Sequence, residues 1–240
     1  MTGTVIIRNS LAALAVAAFI LSSTSVKADL ITISATAPTP DGDDISMLNA
    51  VGQYDIGGNQ GHIWGNRPVQ GQSFTTGSNP GGYLLNAVTL QNLNNTIATS
   101  PTFTLRVGTI SGTTFTSFGG ATGVPASYVP LDFLTFNLDT SIPLSPNTLY
   151  GFDWGSNAQG FVTVNNADSN YPGGSAFSSG SGGVGNTAIT LHEGVAANHG
   201  DRIFHLDLST IPEPSTFALG FMGLALLWRR RRQAWIRPSH

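Results

Sequence analysis

Short runs of alternating apolar and polar residues recur between turn-forming clusters through the middle of this chain. Phe103, Leu105 and Val107, for example, alternate with Thr104 and Arg106. A period of two gives each strand one buried side and one side that faces water, as in antiparallel sheets. The same reasoning predicts strands at 70–75, 83–90, 133–138, 149–154, 161–164, 188–191 and 202–208.

This pattern predicts an all-β protein that folds as one antiparallel β-sandwich, jelly-roll-like, at residues 29–210. Ser111 and Gly112 lie between two alternating runs and predict a tight hairpin. The segments 119–130 and 165–185 are rich in turn residues and are expected to be loops. The predicted core comprises Phe103, Leu105, Phe136, Tyr150, Phe152, Phe204 and Leu206.

The N-terminal segment has the layout of a secretory signal peptide. Arg8 supplies a positive charge, residues 11–21 are apolar, and Val26-Lys27-Ala28 resembles a small-residue cleavage site. We expect signal peptidase to cleave after Ala28 and to remove residues 1–28. The run at 11–21 is shorter than the roughly 20 apolar residues that a transmembrane helix needs.

The C-terminal segment 211–232 has three parts in a fixed order. Pro212, Glu213 and Pro214 form a rigid polar motif, because proline fixes φ and lacks an amide donor. An apolar run at 217–228 is expected to form a short helix. The basic residues Arg229, Arg230, Arg231 and Arg232 follow it and should stay cytoplasmic by the positive-inside rule. Residues 233–240 form a polar tail whose role the sequence does not indicate.

This tail resembles the PEP-CTERM sorting signal of exopolysaccharide-producing bacteria. The resemblance implies processing near Pro212-Glu213-Pro214 by an exosortase, after transient residence in the inner membrane. The protein would then reach the cell envelope or the extracellular matrix, with exopolysaccharide as a candidate partner. A permanent membrane anchor is the alternative. The run at 217–228 would span only about 18 Å as a helix, against a hydrocarbon core of about 30 Å.

The charge and composition of the domain exclude several classes of function. Between residues 29 and 210 there are three arginines, no lysine and twelve acidic residues, which gives a net charge of −9. Nucleic-acid binding needs a basic surface and is therefore excluded. The chain has no cysteine, so thiol catalysis and Cys-ligated zinc are excluded as well. No cofactor is expected, apart from the calcium considered next.

Asp41, Asp43 and Asp44 surround Gly42 and form a candidate calcium loop, since calcium prefers carboxylate and carbonyl oxygens. Their spacing departs from the EF-hand pattern, and an acidic turn is the alternative that we favour. His192, His199 and His205 lie close together in sequence beside Glu193. We expect them to be separate surface histidines rather than a shared metal site, with His205 facing away from the core.

The segment 165–174 is the best candidate for a ligand site. Asp168, Asn170 and Tyr171 combine planar hydrogen-bonding groups with an aromatic ring, as sugar binding requires, and Trp64 could add a second ring. The alternative is an ordinary turn, which favours the same polar residues. Trp154 is expected in the core because it lies on one side of an alternating strand.

The middle region also resembles the choice-of-anchor β-sandwich domains of bacterial surface proteins, at 70–77, 83–90 and 144–150. That resemblance implies an ectodomain without known catalytic residues. We therefore predict a non-enzymatic structural or carbohydrate-binding module. The alternative is a secreted polysaccharide-active hydrolase with paired loop carboxylates. These would come from Asp132, Asp139, Asp153 and Asp168.

Overall fold

Antiparallel strands account for nearly all of the regular structure in the computed structural model. It describes residues 31–48, 70–92, 102–156, 165–166, 171–179, 188–192 and 201–213, together with Leu224, Leu226 and Trp228. Its strands are β1 (Ile31–Ser34), β2 (Ile45–Met47), β3 (Gln70–Thr75), β4 (Tyr83–Gln91), β5 (Phe103–Ser111), β6 (Thr114–Gly123), β7 (Phe133–Leu144), β8 (Leu149–Ser156), β9 (Asn165–Asn166), β10 (Ala176–Ser179), β11 (Ile189–His192), β12 (Asp201–Arg202) and β13 (Phe204–Thr210).

The strands form two main sheets. One has five strands in the order β1-β7-β4-β13-β2, and the other has six in the order β11-β10-β3-β8-β5-β6. The short strands β9 and β12 pair separately. Every pairing between these strands is antiparallel. The predicted all-β sandwich is therefore confirmed.

The main core lies between the two sheets. Phe152 of the six-stranded sheet meets Phe204 of the five-stranded sheet edge to face, with ring centroids 5.6 Å apart. Trp154 is fully buried, as its place in the alternation of β8 predicts. The predicted core is confirmed at every position: Phe103, Leu105, Phe136, Tyr150, Phe152, Phe204 and Leu206 are all buried.

The predicted hairpin between β5 and β6 forms, with its turn one residue later than predicted. Ser111 pairs with Thr114, which leaves Gly112 and Thr113 as a two-residue loop. Gly112 has a φ of 57°. This suits the first central position of a type II′ turn, where glycine is the favoured residue.

The two predicted loops were partly wrong. β6 continues through 119–123, and β9 and β10 lie inside the predicted loop 165–185. Strand β10 forms despite its small polar neighbours, because both of its edges pair, with β3 and β11, and Phe177 is fully buried. The strands β1 and β2, of four and three residues, were not predicted. The predicted strand 161–164 lies outside the described residues.

A second small core lies on the other face of the six-stranded sheet. Gly71 and Gly151 present no side chain there, so the Phe177 ring packs directly against the sheet. The sheet curls toward itself, since the Ile189 amide donates to the Thr113 carbonyl at 2.9 Å. The buried members of this cluster are Ile110, Phe115, Phe177 and Ile189.

The predicted helix 217–228 is described at three positions. Leu224, Leu226 and Trp228 have helical backbone, and their side chains are each 64% exposed. Within the described part of the chain, no helix has the length and apolar character needed to cross a membrane. The extent of the predicted helix stays a prediction.

Candidate functional site

The sorting motif begins where the sandwich ends. After β13 stops at Thr210, the Ile211 amide donates to the Gly82 carbonyl at 3.0 Å. The Asn79 side-chain amide donates to the carbonyl oxygens of Gly82 at 2.6 Å and Ile211 at 3.1 Å. We call the segment that starts at Ile211 the stem, and residues 79–82 together with these bonds the stem clamp.

Beyond the stem clamp the chain leaves the sandwich. Pro212 and Glu213 are exposed and belong to no strand. Proline at position 212 cannot donate a further backbone bond to the sheet. The motif is therefore presented within one residue of the last clamped position. Pro214 and Arg229 to Arg232 lie outside the described residues, as do Ala28 and the predicted signal peptide.

The acidic turn at 41–44 is fastened to β13. Asp43 Oδ2 accepts from the amide and the hydroxyl of Thr210 at 3.3 and 3.0 Å. Asp44 Oδ1 accepts from the Leu208 amide at 2.8 Å. Asp41 Oδ1 accepts from the Asp43 amide within the turn. Asp43 and Asp44 therefore hold the segment before β2 against β13, while Asp41 shapes the turn itself.

Asp44 also contacts His205, and this corrects the expectation for that histidine. The His205 Nε2 atom lies 2.8 Å from Asp44 Oδ2, and both side chains are buried. His205 does face away from the core between the sheets, but the acidic turn covers it, so it is not a surface residue. The side chains of His192 and His199 lie outside the described part of the structure.

The ionised form of Asp44 is favoured in the fold. Burial alone would raise its pKa, but hydrogen bonds from the Asp41 and Leu208 amides and from His205 hold the pKa below its usual value. Within the described residues, no group of three or more His, Cys, Asp or Glu side chains is arranged to hold a metal ion. Calcium binding by Asp41, Asp43 and Asp44 stays a prediction.

The candidate ligand segment is tied to a buried polar network. Asp201 Oδ1 accepts from the Gln72 side chain at 2.9 Å and from the Ala176 amide at 2.8 Å. Asp201 Oδ2 accepts from the Tyr171 amide at 2.6 Å. Gln72 in turn accepts from the Arg202 amide at 2.9 Å. This network fixes the backbone where the segment returns to β10.

The Tyr171 ring packs inward. It meets Phe204 edge to face with centroids 5.2 Å apart and is partly buried against the main core. Burial and the nearby Asp201 charge raise the pKa of Tyr171 to about 12. A ring in this position contributes to folding, which limits the area it can offer to a sugar. Asp168, Asn170 and Trp64 lie outside the described residues, so the predicted sugar site stays a prediction.

The carboxylates considered for hydrolysis have separate surroundings. Asp153 is buried on β8 and forms a two-point ion pair with Arg106 on β5, with Nε to Oδ1 at 2.8 Å. Burial raises the pKa of Asp153, and the bonds and charge of Arg106 oppose that rise. Asp132 accepts from the Val129 amide at 2.8 Å in a turn, whereas Asp139 is exposed on β7. Asp168 lies outside the described residues.

The Arg106–Asp153 pair was not predicted, although the sequence contains a signal for it. Each residue lies at the centre of an alternating run, between Leu105 and Val107 or between Phe152 and Trp154. Single charges in such positions lie on the face opposite the core, and the register places them directly opposite each other. Without the strand order, neither residue indicates its partner.

These observations define a class: a β-sandwich domain whose last strand leads directly into a C-terminal tail that starts with the exposed residues Pro212 and Glu213. A family model described as the PEP-CTERM protein-sorting motif matches residues 210–232. The chain therefore carries a PEP-CTERM motif, as its tail predicted. A search of curated proteins found no match to the chain. The motif supports an exported protein that passes through the cell envelope and is sorted by an exosortase-type enzyme.

Proposed function

We propose that the ectodomain is a non-enzymatic structural module, released by exosortase-type processing into the cell envelope or an exopolysaccharide matrix. The observation that carries this proposal is that the buried carboxylates bind hydrogen-bond donors of the protein itself. Asp44, Asp153 and Asp201 are each hydrogen-bonded to protein donors that hold strands together. Charges used in this way stabilise a fold and leave little capacity for acid or base chemistry.

The hydrolase alternative receives less support from the same geometry. Glycoside hydrolysis needs two carboxyl groups about 5–10 Å apart on either side of a sugar. Asp153 is bound by Arg106 and buried, and Asp132 is engaged in its own turn. Asp168 lies outside the described residues, so a pair that includes it stays a candidate. We therefore keep the hydrolase as the second candidate.

Carbohydrate binding would distinguish a binding module from a purely structural one. The purified ectodomain, residues 29–213, would be tested on a glycan array and incubated with bacterial exopolysaccharides while reducing ends are counted. A structural module predicts neither specific retention nor new reducing ends. New reducing ends that Asp168→Asn abolishes would establish the hydrolase, and specific retention alone would establish a binding module.

The sorting tail is tested separately. We expect replacement of Arg229, Arg230, Arg231 and Arg232 by serine to remove the cytoplasmic stop and to redistribute the protein. Cell fractionation would measure the shares in inner membrane, envelope and medium. The matched control is Arg237→Ser, a single arginine replacement in the polar tail outside the four-arginine block. An unchanged distribution in the four-arginine variant would contradict a sorting role for the basic block.

A further inference from the structure

We propose that the stem clamp is a positioning element for processing, with Asn79 as its principal positioning residue. This inference rests on the proposed exosortase-type processing of the tail. Its first support is that a single side chain, Asn79, links the stem to the turn that receives it. The Asn79 amide bonds to Ile211 of the stem and to Gly82 of the turn that receives the stem.

The turn is shaped for the stem. Gly82 has a φ of 81°, which favours glycine, and its carbonyl accepts from both Asn79 and the Ile211 amide. A Cβ atom on Gly81 would overlap the Ile211 carbonyl oxygen. The turn therefore admits the stem backbone only because position 81 lacks a side chain.

The strand before the stem is held as well. Asp43 binds both the amide and the hydroxyl of Thr210, and Asp44 binds the Leu208 amide. The backbone is thus fixed through Ile211, whereas Pro212 and Glu213, which start the motif, belong to no strand. Five residues, 212–216, separate the clamp from the apolar run. They can extend over at most about 18 Å.

The short distance between the stem clamp and the apolar run explains how the clamp positions the motif. With the apolar run in the membrane, a short tether keeps the clamped edge of the sandwich close to the bilayer, where the processing enzyme acts. The motif then reaches the enzyme with its upstream backbone already ordered. Ordering before binding lowers the entropy lost on binding, and it also selects one bond for cleavage.

The experiment uses the full chain in an exosortase-expressing bacterium, with the processed fraction measured by immunoblot and the new C-terminus by intact mass. We expect Asn79→Ala and Gly81→Ala to lower the processed fraction several-fold and to spread cleavage over more than one bond. Insertion of six Gly/Ser residues between Ile211 and Pro212 should do the same, because it leaves the clamp intact but detaches the motif from it.

The matched control for Asn79 is Asn86→Ala. Asn86 also bonds through its side-chain amide to β13, at Asp207 and Ser209, but it does not contact the stem. Gly42→Ala is the control for Gly81, since a Cβ there meets nothing within 4 Å. Both controls should be processed as efficiently, and at the same bond, as the unmodified chain.

The outcomes separate the two proposals. If the Asn79, Gly81 and insertion variants are processed like the unmodified chain, the positioning role is overturned while processing of the tail stands. If Asn86→Ala loses processing as severely as Asn79→Ala, the effect is one of general stability and the positioning role is again overturned. If the unmodified chain is not processed at all, both proposals fail.

Discussion

At the scale of single residues, the buried Arg106–Asp153 pair has a large predicted effect on stability. Removal of one partner leaves an uncompensated buried charge, which costs about 3–5 kcal/mol. We expect Arg106→Leu and Asp153→Leu each to lower the free energy of unfolding by an amount of this order. The double variant should be more stable than either single variant. Urea denaturation of the four proteins would measure this, and additive losses would contradict the pairing.

Asp44 predicts a specific pH dependence. Its folded-state pKa is lowered, so the stabilisation that it provides is present above its unfolded-state pKa of about 3.9 and is lost as the pH falls through the folded value. Asp44→Asn should lower the free energy of unfolding at pH 7 by about 1–3 kcal/mol. The difference from the parent protein should shrink as the pH is lowered below about 4.

Denaturation curves at pH 7 and at pH 3 would test this expectation. Asp207→Asn is the control, because Asp207 is an exposed carboxylate on the same strand. Its substitution should change stability by less than about 0.5 kcal/mol at either pH. An Asp44→Asn deficit that is equally large at pH 3 would show that lost packing, and not lost charge, causes it.

At the scale of elements, the second core depends on glycines in β3 and β8. A Cβ atom on Gly71 would overlap the Phe177 ring and lie 2.5 Å from the Phe152 carbonyl oxygen. Gly71→Ala should therefore displace β10 from β3 and cost about 1–3 kcal/mol or more. Gly42→Ala is the matched control and should be nearly neutral. Thermal unfolding would measure both, and equal stability of the two variants would contradict direct packing of Phe177 on Gly71.

Elements with long alternating runs could be predicted from the sequence, and the others could not. The bounds of β3 and the core residues of β5, β8 and β13 follow from period-two alternation alone. Strand β10 was read as loop because its sequence, Ala-Phe-Ser-Ser, is typical of a turn region. Only pairing with β3 and β11, together with the space above Gly71 and Gly151, makes it a strand, and this depends on tertiary contacts.

The candidate site likewise has one part that the sequence indicates and one part that depends on tertiary contacts. The sorting motif is local in sequence, so its residues and their order indicate it directly. The stem clamp joins Asn79 to Ile211, which are 132 positions apart, and the Asp44–His205 contact spans 161 positions. Contacts over such distances depend on the strand order, which alternation does not provide. For the same reason the packing of the Tyr171 ring on Phe204 was not predicted, and the role of Tyr171 as a ligand residue stays a prediction.

At the scale of the whole molecule, the main core between the two sheets should give cooperative unfolding. Phe152 is fully buried and contacts Phe74, Trp154 and Phe204. Phe152→Ala should cost about 3–5 kcal/mol, a large share of the roughly 5–15 kcal/mol of a typical domain. Tyr171→Ala should also lower the melting temperature, though by less, because its ring is only partly buried. Differential scanning calorimetry of both variants would test this order. A smaller loss of melting temperature in Phe152→Ala than in Tyr171→Ala would contradict it.

The most direct test of the central claim is the intact mass of the protein made with and without an exosortase. With the enzyme, we predict a chain that starts at Asp29 and ends near Pro212-Glu213-Pro214, without the apolar run and the arginines. Without the enzyme, the same chain should retain the tail and remain with the inner membrane. An identical C-terminus in both preparations would contradict the account that this sandwich is an exported domain sorted through its tail.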